Sequence, residues 1–68
     1  METLTDREHE IVGHLAGGLK TKQVAAMLWV TRSDVDVHVC NAVRKTHSRN
    51  RYHLFWRYRN GEFLREPA

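Results

Sequence analysis

Cysteine is nearly absent from this sequence: Cys40 stands alone, so no disulfide can close within the chain. A chain of 68 residues without that staple must rely on a thin apolar core, and a reducing compartment is the simpler expectation. Proline is as scarce. The one residue, Pro67, lies in the tail, so nothing breaks helices before it, and no alternating strand pattern competes. Long hydrophobic runs are also missing. Nothing approaches the ~20 apolar residues needed to span a bilayer, and METLTDREHE has neither the basic nor the apolar region of a secretory signal. These absences lead to the expectation of one cytoplasmic domain, residues 1–68, away from any membrane.

Acidic residues are missing from one stretch, Val37 to Gly61. Residues 1–36 carry four Lys/Arg against six Asp/Glu, a net −2, while residues 37–68 carry seven against two, a net +5. This asymmetry suits an anionic partner, with nucleic acid first among the candidates, although a solvated basic face would give the same count.

Groupings that would signal enzyme chemistry are missing as well. The five histidines (His9, His14, His38, His47 and His53) show no tight metal-ligand spacing with Cys40. There is no phosphate-binding loop and no paired carboxylate site. Gly17-Gly18 reads as a helix stop and not as a nucleotide cradle. No catalytic residue, metal or cofactor is expected, and the chain is not read as an enzyme. Cys40 reads as a small surface residue; only Arg44 nearby could lower its thiol pKa and make it redox-sensitive.

What is present is helix. Thr5-Asp6-Arg7-Glu8 is a capping box. It is followed by an apolar face of Ile11, Val12, Leu15 and Ala16 and by the Gly17-Gly18 stop, which predicts a helix over 6–16. A second helix over 21–29 turns Val24, Ala25 and Leu28 inward, with Met27 at the edge. Its start is weakly signalled: Lys20 occupies the place of a natural Ser cap, and Thr21 is the alternative. A third helix over 32–46 starts at Thr31, where Asp34 closes a second capping box. Val35, Val39, Ala42 and Val43 form its inner stripe. At ~100° per residue, Ser33, Val37, Cys40, Asn41 and Arg44 gather opposite, with Asp36 between the two faces. A fourth helix over 51–59, capped by Asn50 and ended by Asn60-Gly61, carries Tyr52, Phe55, Trp56 and Tyr58. These aromatics do not fit one stripe. The reading is a dimer or partner interface, with packing of both sides on a three-helix core as the alternative.

From Leu4 to Arg51 the sequence LTDREHEIVGHLAGGLKTKQVAAMLWVTRSDVDVHVCNAVRKTHSRNR resembles, without a gap, the LuxR-type helix-turn-helix, also called the GerE family. The pattern is carried by Leu4, Thr5, Arg7, Glu8, Glu10 and Ile11 in the first segment. Ala16, Gly18, Lys22, Gln23, Val24, Ala25, Leu28, Val30 and Thr31 carry it through the second. Val35, His38, Asn41, Ala42, Lys45, Asn50 and Arg51 complete it. The resemblance implies an all-α, four-helix DNA-binding domain in its stand-alone form. Its second and third helices form the motif that enters the major groove, and its fourth mediates dimerisation. By position, the base-reading side chains map to Asp36, Val37 and Cys40. The backbone-contacting positions map to Lys22, Asp34 and Lys45, with Arg44 and Arg49 as further cations. Arg7, Glu8, Glu10 and Arg51 map to framework positions that hold helices together by ion pairs and caps. His38 falls at the edge of the inner stripe.

The departures lie where DNA would be read. Asp34 replaces the usual Thr, Asp36 the usual Lys or Arg, and Thr46-His47 the usual Leu-Gly. Asp34 is explained by the cap. Asp36 meets the negative field of a duplex, although a carboxylate in the groove can accept from cytosine N4. Thr46 is expected to point inward where Leu would fill the core, weakening the turn into the fourth helix. Two functions follow. One is a small dimeric transcriptional regulator that binds DNA with an atypical acidic recognition helix. The other is a protein-binding module, an anti-activator or co-regulator, that keeps the fold and pairs with another LuxR-type regulator or a different protein.

Overall fold

The computed structural model describes residues 4–63. Four helices follow one another: α1 Asp6–Ala16, α2 Thr21–Leu28, α3 Arg32–Lys45 and α4 Arg51–Arg59. Pro67 lies outside the described residues.

The caps form as the sequence predicts at three of four starts. Thr5 Oγ1 accepts from the Glu8 N–H at 3.1 Å, and Glu8 Oε1 accepts from the Thr5 N–H at 2.8 Å. Thr31 and Asp34 exchange the same pair of bonds at 3.1 and 3.3 Å. Asn50 Oδ1 accepts from the His53 N–H at 2.9 Å. At α2 the cap position is Lys20 and not Thr21, which is already the first helical residue. An ammonium side chain cannot accept, so only half the box is made: Gln23 Oε1 takes the Lys20 N–H at 2.8 Å.

All four helices end alike. The N–H of a residue two or three past the helix reaches back five residues to a carbonyl in the last turn. These bonds run from Leu19 to His14, Val30 to Ala25, Ser48 to Val43 and Glu62 to Arg57. The geometry needs one residue in the left-handed region. Gly18 and Gly61 supply it at φ 108° and 83°, but at the other two ends it is Trp29 at 58° and His47 at 55°. This is why α2 and α3 each stop one residue short of the expected bound.

Helix α1 lies at the centre of the packing and separates two apolar clusters. Ile11 meets Val24, Ala25, Val35 and Val39, with Leu15, Leu28 and Phe55 packed around them. Val12 meets Leu4, Ala42 and Leu54, with Tyr58 and Phe63 around these. The inner stripe of α3 is therefore buried at Val35, Val39 and Ala42, and its opposite side is left to solvent. Only Trp29, Val30 and Thr31 separate α2 from α3, so the two stay in contact through Val24, Ala25, Val35 and Val39.

The turn from α3 to α4 differs from the expectation of a weakened join. The Thr46 hydroxyl donates to the Ala42 carbonyl at 2.7 Å and lies 2.7 Å from Ser48 Oγ. Arg57, on α4, donates to the Thr46 carbonyl at 2.7 Å and to Ser48 Oγ at 3.0 Å. Polar bonds hold the turn where a leucine would have packed.

Candidate nucleic-acid interface

The two aspartates of α3 are both used within the chain. Asp34 caps its own helix. Asp36 lies on the α4 side of α3, with Oδ1 3.3 Å from Arg51 Nη2. The pair joins α3 to the first turn of α4 and neutralises the carboxylate that most opposed DNA. It is partly exposed, so it contributes at most about 1 kcal/mol to stability.

Between these carboxylates the outward face is open. Val37 is 56 % exposed, and Ser33, Cys40, Asn41 and Arg44 are exposed with it. Among the described residues, a shallow groove of about 390 Å³ runs beside this face, lined by Val39, Cys40, Val43, Arg44, Asn50 and Arg51. Lys22 is exposed in the first turn of α2, and Arg49 is exposed just before α4. Lys45 is placed differently. Its Nζ lies 2.8 Å from Glu8 Oε1, between α3 and α1, so its ammonium is occupied by the framework. Of the cations expected at the phosphates, Lys22, Arg44 and Arg49 are the ones left to solvent.

Glu8 carries the main electrostatic tension of the fold. It is only 2 % exposed. Burial alone would raise its carboxyl pKa, but the Lys45 ammonium and the Thr5 N–H and hydroxyl outweigh burial and hold it below the ordinary value. Glu10, the other framework acid, pairs with Arg7 at 3.2 Å along α1, within one exposed helix turn and not between helices.

On α4 the four aromatics divide. Tyr52, 76 % exposed, and Trp56, 57 % exposed, stand outward, and Phe55 lies half-buried between them and the core. Together with Leu15, Ala16 and Gly18 they line an open groove along α1 and α4. Tyr58 packs inward on α1 instead. Its hydroxyl donates to the His9 carbonyl at 3.3 Å, and its ring lies so close to Gly13 that a Cβ there would meet the hydroxyl at 3.2 Å. His38 is half-buried.

Sequence reasoning passed over Trp29. It is 95 % exposed and sits in the left-handed position of the α2–α3 turn. A signal was available: a residue directly after the last inward position of α2 falls at a helix end and faces outward. Among the described residues no His, Cys, Asp and Glu cluster could hold a metal ion, and no helix is long and apolar enough to cross a membrane.

The family model described as bacterial regulatory proteins, luxR family, matches residues 2–56. A nitrate/nitrite response regulator protein homolog of Haemophilus influenzae is 43% identical over 51 residues, covering 72% of this chain and 24% of that protein. The nitrate/nitrite response regulator protein NarP of Escherichia coli is 42% identical over 48 residues, 71% of this chain and 22% of its own length. The transcriptional regulatory protein LnrK of Bacillus subtilis is 40% identical over 48 residues, with the same shares of 71% and 22%. The chain thus spans about a quarter of the length of these relatives. No solved structure matches it.

Proposed function

The chain belongs to the luxR family of bacterial regulatory proteins, and from that premise we infer that it is a small transcriptional regulator that lays α3 in the major groove of DNA. The open outward face of α3 carries this reading. Its acidic residues are turned to internal use, Asp34 to the cap and Asp36 to Arg51. What they leave uncovered is Val37, Cys40 and Asn41, with Arg44 further along the same face. Lys22 and Arg49 flank that face as phosphate contacts, with Arg44 between them. Affinity in this arrangement comes mostly from cations on phosphates and therefore falls steeply with salt. The third-helix cations are fewer than the resemblance implies, because Lys45 holds Glu8, so sequence-independent binding is weak.

Tyr52, Phe55 and Trp56 form the surface through which two copies pair, so that two α3 helices address two half-sites. Tyr58 supports this surface from behind by fixing α4 on α1. The same exposed rings favour a second reading, in which the chain pairs with another LuxR-type regulator and controls it without touching DNA. A mobility shift on random and genomic duplex across a salt series separates the two. Retardation at moderate salt with a steep loss as salt rises is expected. A chain that retards no duplex even at low salt is a protein-binding module. No cofactor enters either reading, and a cytoplasmic location fits both.

A further inference from the structure

Positions i, i+1, i+4 and i+5 of a helix share one face, since ~100° per residue places them within about 140° of arc. On α3 these positions are Asp36, Val37, Cys40 and Asn41. Asp36 and Asn41 stand at opposite edges of that arc. Asp36 is held toward α4 by Arg51. Asn41 is exposed, and among the described residues its amide makes no hydrogen bond. It is therefore the amide on this face with both its donor and its acceptor free. Val37 beside it presents an uncovered isopropyl group.

We propose that Asn41 is a base-reading residue of this chain and that, with Val37, it selects an A·T pair. The assignment rests on the DNA-binding reading of α3. An asparagine amide matches adenine in the major groove: its Nδ2–H donates to N7 and its Oδ1 accepts from the N6 amino group. A valine isopropyl group fits the thymine C5 methyl and has nothing to offer guanine O6. Lysine at position 36 would have favoured guanine, but aspartate stands there and is tied to Arg51. The preference of the face is thus displaced from G·C toward A·T, and its hydrogen-bonding reader moves from the α4 edge of α3 to the opposite edge.

The test takes the full chain through selection from a randomised duplex pool, followed by titration of the selected site at fixed salt. Selection is expected to enrich A·T at a defined position. Changing that pair to G·C should weaken binding by about five- to a hundred-fold. Placing 7-deazaadenine at that position removes N7 and should weaken the wild-type chain. It should leave N41A, already weakened on the natural site, unaffected. N41A should bind unrelated duplex as the wild type does, and its unchanged circular dichroism melt would show that it folds. Enrichment that is indifferent to both N41A and 7-deazaadenine would overturn the role of Asn41 while leaving DNA binding in place. No retention of any duplex by the wild-type chain would overturn both.

Discussion

A buried acid and a half-exposed acid make different demands on their partners. Glu8 is buried and Lys45 is its one ionic partner in the described residues, so K45A strands a desolvated carboxylate. A loss of about 2 kcal/mol is expected, a large share of what so small a domain has, and a chemical denaturation curve would measure it. The pH dependence follows from the direction of the Glu8 shift. Its folded value lies below the ordinary 4.5, so its contribution is complete above that value and fades as pH falls through the folded one. Thermal midpoints should therefore drop as pH falls below about 4.5, and E8Q should drop less over the same fall. For Asp36, the pair with Arg51 is surface-like, and D36K should cost at most about 1 kcal/mol in stability. It also releases Arg51 and adds a cation to α3. Affinity for unrelated duplex should rise, and the slope of log affinity against log salt should steepen by about one to two. An unchanged titration would mean that this edge of α3 faces away from the duplex.

At the scale of the helix, local signals were legible and distant ones were not. The capping boxes at Thr5 and Thr31 and the asparagine cap at Asn50 are spelled within four residues, and the structure has all three. The bounds of α1 and α4 follow from them and from Gly18 and Gly61. The ends of α2 and α3 each came out one residue long because Trp29 and His47 take turns that glycine normally announces. The uses of Asp36 and Lys45 depend on partners 15 and 37 residues away, and no spacing rule reaches that far. Separations of 11 and 9 residues likewise hid the bracing of the α3–α4 turn by Arg57. The left-handed tryptophan also yields a prediction. A side chain with a Cβ at that φ costs about 1–2 kcal/mol, and Trp29 recovers little by contact, being almost wholly exposed. After the entropy cost of glycine, W29G should gain about 0.5–1 kcal/mol, a rise of roughly 2–8 °C in Tm by circular dichroism. A lowered Tm would mean that the indole packs on something in solution.

At the scale of the whole molecule, two outer surfaces differ in character. The face of α3 is small and polar-edged, while the α1–α4 groove is aromatic. Trp56, whose ring stacks on His53 at 6.4 Å, belongs to neither apolar cluster of the core. W56A should shift sedimentation toward the monomer while leaving the melt of the monomer within about 0.5 kcal/mol. An unchanged mass would count against pairing through this surface. The placement of the two indoles also settles how this protein can be watched. With Trp29 almost wholly exposed and Trp56 more than half exposed in the single chain, unfolding of the monomer should shift their emission maximum little, so the wavelength of intrinsic fluorescence is a poor thermometer. The same rings are label-free reporters of occupancy: a blue shift or a loss of acrylamide quenching signals that something has come to lie over the α2–α3 turn or the α4 flank, and replacing one indole by phenylalanine tells which.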